Sequence, residues 1–365
     1  ELDTPVLLID REIMMDNLRF MQDYADRQGV ALRPHTKTHK MPALAKIQEE
    51  LGAKGITVAK VGEAEVMAEN GLSDIFIANE IVGRRKLERI RELCRKGIKV
   101  SFAVDTPCQV EAVEEVFREE AAPAQVLIEI EVGEERSGII HEEPFAALLQ
   151  TIGRCPHVHF KGIFSHEGHC YNAETTEDCH EKFLISQERT LSFARLAKEL
   201  GMPCQVVSIG STPSLMHGFE ILPGVTEIRP GTYVLMDASQ GHAIGTLDRC
   251  AATVLTTVIS RPTPERVITD VGAKGLTAQT RTRGICATPG LGTVKGSEGA
   301  HVFDAYDEHA IFYNRAFREA VQVGDKVEII PVHICPVCNL YDKAVLVSGG
   351  EVVEEIPVLC RGKLQ

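Results

Sequence analysis

In the segment Arg33-Pro34-His35-Thr36-Lys37-Thr38-His39-Lys40 a lysine stands among two histidines, an arginine and a second lysine, directly after the strand-like Val30-Ala31-Leu32. Cationic neighbours disfavour an ammonium ion, so more of Lys37 is free amine, a nucleophile able to form an imine with an aldehyde. If the segment leaves the end of a strand, two-residue alternation puts His35, Lys37 and His39 on one side, and Lys40 is expected to be the solvated member. The same residues also read as a basic surface loop. A second pair is His333-x-Cys335, in a β-rich stretch where both side chains are expected on one face of a strand. An imidazole and a thiolate so placed can share one ion, and these donors favour zinc over hard cations. Cys335-Pro336-Val337-Cys338 is also a C-x-x-C. A redox dithiol needs a helix starting after its first cysteine, whereas Asn339-Leu340-Tyr341-Asp342 leads into another strand-like run, so Cys338 is taken as a bystander thiol.

Two further segments offer hydrogen-bond donors to an anion. Gly210, Ser211 and Thr212 follow the apolar Val206–Ile209 run with amides and hydroxyls suited to a phosphate, and Pro213 fits the first turn of a helix. Gly231-Thr232-Tyr233 is the second. A plain N-capped loop accounts for the first equally well. Arg136, after the strand-like run 127–132, can pair with Glu134 or Glu135 or reach an anion in a site. His166 and His169 mark another strand end, with proton transfer or ring stacking set against a packed polar loop. Asp270, Glu308 and His309 lie in loops that either line a site or are structural.

The elements that must position these residues show two textures. From about residue 5 to 240, some eight short apolar runs alternate with segments of helical period, the pattern of parallel strands joined by helical crossovers. Eight such units over this length predict a (β/α)₈ TIM-like barrel, in which strand C-terminal ends face the active site. An open doubly wound sheet is the competitor, but no G-x-G-x-x-G follows the first strand. From residue 246, β-rich runs separated by Gly, Pro and Asp turns predict a mostly antiparallel β domain. The expected division is 11–245 for the barrel and 246–365 for the β domain, the latter joined by residues 1–10.

The chain has 365 residues, 44% hydrophobic and 25% charged, with a formal net charge of −13 and no basic cluster. That is a folded globular composition with a sizeable core, and a uniformly acidic surface argues against nucleic acid or an anionic membrane as partner. No run is apolar enough to span a bilayer. The 11 cysteines are odd in number and irregularly spaced, which points to free thiols in a reducing cytoplasm.

Thr4-Pro5-Val6-Leu7-Leu8-Ile9-Asp10, RPHTKTHK at 33–40, GSTPS at 210–214, EIRPGTYV at 227–234 and HICPVCNLYD at 333–342, in this order, resemble the D-threonine aldolase and D-serine dehydratase family of fold-type III pyridoxal 5′-phosphate enzymes, which share the alanine racemase architecture. The resemblance runs over essentially the whole chain. It implies that Lys37 is the Schiff-base lysine, that Gly210, Ser211, Thr212, Gly231 and Tyr233 lie at the cofactor, and that Arg136 approaches the ring's phenolic oxygen. His35 and His166 are carried as further catalytic candidates. It also implies a divalent metal at His333 and Cys335. In that family, aldolases carry His-x-Asp, which suits manganese or magnesium, and dehydratases carry His-x-Cys, which suits zinc. The expected function is therefore a lyase on small D-3-hydroxy amino acids. Dehydration and deamination of D-serine or D-threo-3-hydroxyaspartate to an oxo acid and ammonia is favoured, and a D-threonine-type aldolase giving glycine and an aldehyde is the alternative. A racemase would need a second base, and a non-catalytic cofactor-binding protein would be a single barrel. A homodimer is expected by family analogy.

Overall fold

The structure, a computed structural model, describes residues 2–365. The strands before residue 229 are β1 (Val6–Asp10), β2 (Ala31–Leu32), β3 (Ile56–Val58), β4 (Asp74–Glu80), β5 (Lys99–Val104), β6 (Ala124–Ile130), β7 (Val158–Ser165), β8 (Val206–Ile209) and β9 (Glu227–Ile228). All but β1 form one eight-stranded parallel sheet in the order β2-β9-β8-β7-β6-β5-β4-β3. Its two end strands meet at a parallel bridge between His35 and Thr57, where Thr36 N donates to Thr57 O at 2.8 Å and Thr57 N to Pro34 O at 2.9 Å. The sheet is thus the ring that the alternation implied, and the open doubly wound alternative is not realised.

Helices of matching period cover its outside. In Glu142–Gly153 the buried Phe145, Leu148, Leu149 and Ile152 fall at i, i+3, i+4 and i+7, the single apolar stripe that a crossover helix lays on a sheet. Phe145 meets Phe193 of the helix Thr176–Glu199 edge to face, with ring centroids 5.1 Å apart. Among the described residues no helix is long and apolar enough to cross a membrane.

Period-2 alternation decides what fills the ring. At its lower end Arg33 Nε donates to Glu227 Oε2 and Arg33 Nη1 to Asp74 Oδ1, each at 2.7 Å. Above them Phe76, Ala103, Leu127 and Phe164 form a small apolar layer, with the Arg229 guanidinium 5.1 Å from the Phe164 ring centre. Arg229 Nη1 donates to Ser208 Oγ and Nη2 to Ser165 O, both at 2.7 Å, and Ser208 Oγ donates to Glu227 Oε1 at 2.7 Å. The interior is therefore a stack of paired charge, aromatic layer and buried guanidinium beneath the mouth.

The remaining strands are β10 (Ala252–Ser260), β11 (Arg266–Thr269), β12 (Gly292–Val294), β13 (Asp304–Ala305), β14 (Ala310–Tyr313), β15 (Lys326–Pro331), β16 (Lys343–Ser348) and β17 (Glu351–Pro357). They form a second sheet, β13-β14-β11-β10-β1-β16-β17, with β15 pairing β10 and β12. Strand β1, the first apolar run of the chain, lies here between β10 and β16; its pairing with β16 is the parallel one in an otherwise antiparallel sheet.

One expectation is corrected. His333 and Cys335 do not share a strand: β15 ends at Pro331, and Ile334–Cys338 is a short helix with His333 at its N-cap. Pro336 has no N–H to give to a ladder, and the buried carboxylate of Asp237 accepts from Ile334 N at 3.0 Å, which bends the chain into a turn.

Removing one partner of a buried ion pair leaves an uncompensated charge, at a cost of about 3–5 kcal/mol. Glu227→Ala is expected to lower the unfolding free energy by about that amount in urea denaturation at neutral pH; a loss under about 1 kcal/mol would show that Asp74 alone satisfies Arg33.

Candidate active site

A cavity of about 410 Å³ opens at the C-terminal ends of the barrel strands, walled by Lys37, Glu80, Glu129, Arg136, His166 and Arg229 and by segments 210–212 and 231–232. A second, of about 370 Å³, shares Lys37, Arg136, His166, Tyr171 and Thr232 with it and continues to Arg281, His333 and Cys335. The barrel's lysine and the histidine and cysteine of the turn after β15 thus border one continuous space.

The turn bearing Lys37 is fixed from behind. His39 points away from the cavity and is fully buried: Met41 N donates to its Nδ1 at 3.0 Å, and its Nε2 meets Gln48 Oε1 at 3.3 Å. Gln48 in turn donates to the Tyr233 hydroxyl at 2.8 Å. Because His39 Nδ1 must accept, the ring is neutral, and burial holds its pKa down at about 4. Tyr233 therefore braces the lysine turn and does not line either cavity. Gly231 permits the same packing: a Cβ there would stand 2.9 Å from Thr38 Oγ1.

Lys40, expected in solvent, is buried, with its ammonium 2.7 Å from Glu63 Oε1. Glu63 lies in the first turn of the helix Val61–Glu69 and also accepts from Ala59 N and Lys60 N, a partner that local spacing does not show.

Lys37 has its pKa lowered, burial being the largest cause and Arg136 a further one, against the pull of Cys335. The flanking histidine contributes little as a cation, because burial first and Lys37 second push His35 well below its usual value. His166 is likewise held neutral, by burial and then Lys37; its Nδ1 lies 2.9 Å from Gly210 O, which places the proton there and leaves Nε2 bare.

Arg136 bridges Glu129 at 3.3 Å and Glu134 at 3.4 Å, and Ser137 Oγ donates to Glu129 Oε2 at 2.7 Å. Glu80 hydrogen-bonds Glu129; burial, then this neighbouring carboxyl, raises its pKa to about 8. Glu80 is thus the carboxyl that keeps its proton near neutral pH, beside Glu129 and beneath Arg136. The 210–212 segment leaves β8 with Gly210 at φ +137°, where a Cβ would lie 3.0 Å from Arg229 N.

At the other end His333 Nδ1 is 3.0 Å from Asp237 Oδ2, so Nε2 is the nitrogen left to act. Cys335 Sγ lies 3.2 Å from Thr38 Oγ1. Burial opposes ionisation of both, yet each favours it in the other: Cys335 and Asp237 raise His333 to about 10, and His333 with Thr38 brings Cys335 down to about 7. Cys338 is fully buried, with burial keeping its thiol well above the usual range, and all cysteines are free.

Sequence reasoning missed Glu80, Glu129, Tyr171, Arg229, Asp237 and Arg281. Glu80 and Glu129 were accessible, since both occupy inward positions of strands β4 and β6. Asp237 and Arg281 had no local signal. Asp270 instead accepts from Thr4 and Thr256 at 2.6 Å each, Glu308 pairs with Lys274 at 2.9 Å, and neither they nor His309 line a cavity.

A carboxyl whose pKa rises on folding binds a proton that the unfolded chain lacks between the two values. Its stabilisation is present at low pH and lost as pH rises through about 8, the folded value of Glu80. Glu80→Gln should therefore lose less stability than the parent between about pH 5 and about pH 8, measured by urea midpoints; identical slopes would contradict the raised pKa of Glu80.

Residues 9–239 match the family described as alanine racemase, N-terminal domain, and residues 251–347 that described as putative serine dehydratase domain. A D-threonine aldolase of Arthrobacter sp is 36% identical over 97% of this chain and 91% of its own length. The D-threo-3-hydroxyaspartate dehydratase of Delftia sp. (strain HT23) is 32% identical over 92% of this chain and 91% of its own. The solved structure of that dehydratase superposes with a TM-score of 0.91 at 29% identity, covering 98% of this chain and 97% of the other. A cysteine-to-alanine mutant of a D-threo-3-hydroxyaspartate dehydratase has been solved in the metal-free form.

Proposed function

This chain belongs to the alanine racemase N-terminal domain family, with a serine dehydratase-type second domain, and from that premise we propose that it is a pyridoxal phosphate- and metal-dependent lyase of D-3-hydroxy amino acids. The observation that carries the reading is one continuous space bordered by a half-buried lysine with a lowered pKa and a carboxylate-oriented His-Cys pair.

The residues fit the cofactor. The larger cavity's volume falls in the range of small-molecule sites; Lys37 would hold the aldehyde carbon, Ser211, Thr212 and Gly231 would offer donors to the phosphate, and Arg136 would face the ring oxygen. Bound there, pyridoxal phosphate supplies an electron-withdrawing ring for the substrate's Cα. They fit a metal as well. Asp237 fixes the His333 tautomer as a metal ligand requires, the thiolate favours zinc over manganese or magnesium, and an ion held by His333 and Cys335 would supply Lewis-acid chemistry to a substrate hydroxyl.

The chain's own groups do the remaining work. Lys37, poorly able to keep its proton in this cavity, is the base that takes the proton from Cα. Arg136 is held on the cofactor side by Glu129 and Glu134, and neutral His166 presents an acceptor nitrogen to the same space. Removal of the Cα proton and loss of the 3-hydroxyl, followed by hydrolysis, give an oxo acid and ammonia. Two observations favour this over carbon–carbon cleavage: the thiolate donor, and a metal-side cavity lined by no Val, Leu, Ile, Met or Phe, which suits a small or polar substituent. The histidine and cysteine replaced in two solved mutants described as D-threo-3-hydroxyaspartate dehydratase are numbered two positions apart, the spacing of His333 and Cys335. The aldolase reading is supported by the 36% identity to a D-threonine aldolase. A homodimer is part of the proposal, on family analogy.

The cofactor- and zinc-loaded protein, given D-serine, D-threo-3-hydroxyaspartate and D-threonine with and without a chelator, is expected to release ammonia and an oxo acid only without it. Glycine and an aldehyde would transfer the assignment to the aldolase. Lys37→Ala should lose the visible absorbance of bound cofactor. His333→Ala and Cys335→Ala should keep it and lose about 100-fold in turnover, the effect of roughly 3 kcal/mol of charge stabilisation. Full turnover in both would refute the metal's part. Asp237→Asn should weaken zinc binding by about 10- to 100-fold in a metal titration.

A further inference from the structure

The metal-side cavity holds two guanidinium groups in different circumstances. Arg136 has two carboxylates, Glu129 and Glu134, within ion-pair distance. Arg281 has no carboxylate within that distance among the described residues, and its Nε is buried without a hydrogen-bond partner. The group is nonetheless held in place. Its guanidinium carbon stands 5.5 Å from the centre of the Tyr171 ring. Its loop is tied to the barrel turn below, where Ile285 N donates to Ala173 O at 2.7 Å, and is closed on itself, where Thr288 N donates to Arg281 O at 2.8 Å. The approach is so close that a Cβ on Gly284, at φ +72°, would fall 2.5 Å from the Asn172 backbone. Burying a charged donor with nothing to receive it is costly, so a positioned, unpaired guanidinium in a ligand cavity points to an anion arriving with the ligand. The planar fork of arginine matches a carboxylate.

We propose that Arg281 seats the α-carboxylate of the substrate, a role that rests on the lyase reading above. That reading directs two substituents of the substrate: the amine towards Lys37, and the 3-hydroxyl towards His333 and Cys335. The α-carboxylate is the one anion common to all candidate substrates, and it needs an anchor of its own. With it, three groups around Cα are fixed from three sides, and one hand of the amino acid is selected. Arg136, already engaged by two carboxylates, is not free for this task.

The test uses the cofactor-loaded protein and the change in its visible absorbance on adding D-alanine, which has the amine and carboxylate but no hydroxyl, and D-alaninamide, which lacks the carboxylate. The parent protein is expected to bind D-alanine much the more tightly. Arg281→Gln should bind D-alanine about 30- to 100-fold more weakly, lose most of its preference over the amide, and keep the absorbance of bound cofactor. Arg281→Lys should fall between. In turnover, Arg281→Gln should raise KM for D-serine and D-threo-3-hydroxyaspartate alike, with kcat less affected. An Arg281→Gln protein that kept the parent's affinity and preference would overturn the proposal. So would one impaired with 3-hydroxyaspartate but not with D-serine, since Arg281 would then read the distal carboxylate. If the parent's absorbance responded to no D-amino acid at all, the lyase reading itself would fall, and this assignment with it.

Discussion

A lysine amine is useful as a nucleophile or base near neutral pH only where its proton is expensive to keep. Here the expense is mainly desolvation: Lys37 opens onto an enclosed mouth and has Arg136 as a neighbour. Most of what surrounds it reads as a consequence. His35 and His166, close enough to add charge, are kept neutral by the same burial, so they offer lone pairs where they could have offered repulsion. The turn that carries the lysine cannot relax outward, because His39, Gln48 and Tyr233 pin it from below through a chain of hydrogen bonds that requires an uncharged imidazole.

The barrel beneath meets a related constraint. A ring of short strands forces every second residue inward, and at three levels these inward residues are charged or polar. Two levels are satisfied internally, Arg33 by Glu227 and Asp74 and Arg229 by Ser208 and a carbonyl, and at the third burial and the neighbouring Glu129 raise the pKa of Glu80. The guanidinium of Arg229 stays protonated although burial brings it down to about 10, and it rests against Phe164. This floor gives the mouth a fixed electrostatic field, and the second domain completes the site by bringing His333 and Cys335 over the rim from a turn that Asp237 holds.

The alternation of apolar runs and helical periods makes the barrel legible in the sequence, because strand and helix periods are local properties of the chain. The cationic segment around Lys37 and the His-x-Cys pair were legible for the same reason. Pairing across long separations was not. Nothing near Lys40 announces Glu63, nothing near His333 announces Asp237, and the strand expected at 333–335 gave way to a helical turn once that carboxylate captured Ile334 N. Tyr233 had the right neighbours in sequence for a place at the cofactor, yet its hydroxyl is turned to Gln48. Glu80 and Glu129 could have been found from strand parity alone, whereas Arg281 depends on how a loop of the second domain docks on the barrel.

The central claim is that the desolvated amine of Lys37, among all the lysines of the chain, is the one that condenses with an aldehyde. Borohydride reduction of the pyridoxal phosphate-loaded protein, followed by proteolysis and mass spectrometry, tests it directly. A phosphopyridoxyl group is expected on the peptide at Lys37 and on no other lysine. Stable labelling of another lysine, or none at Lys37, would contradict it.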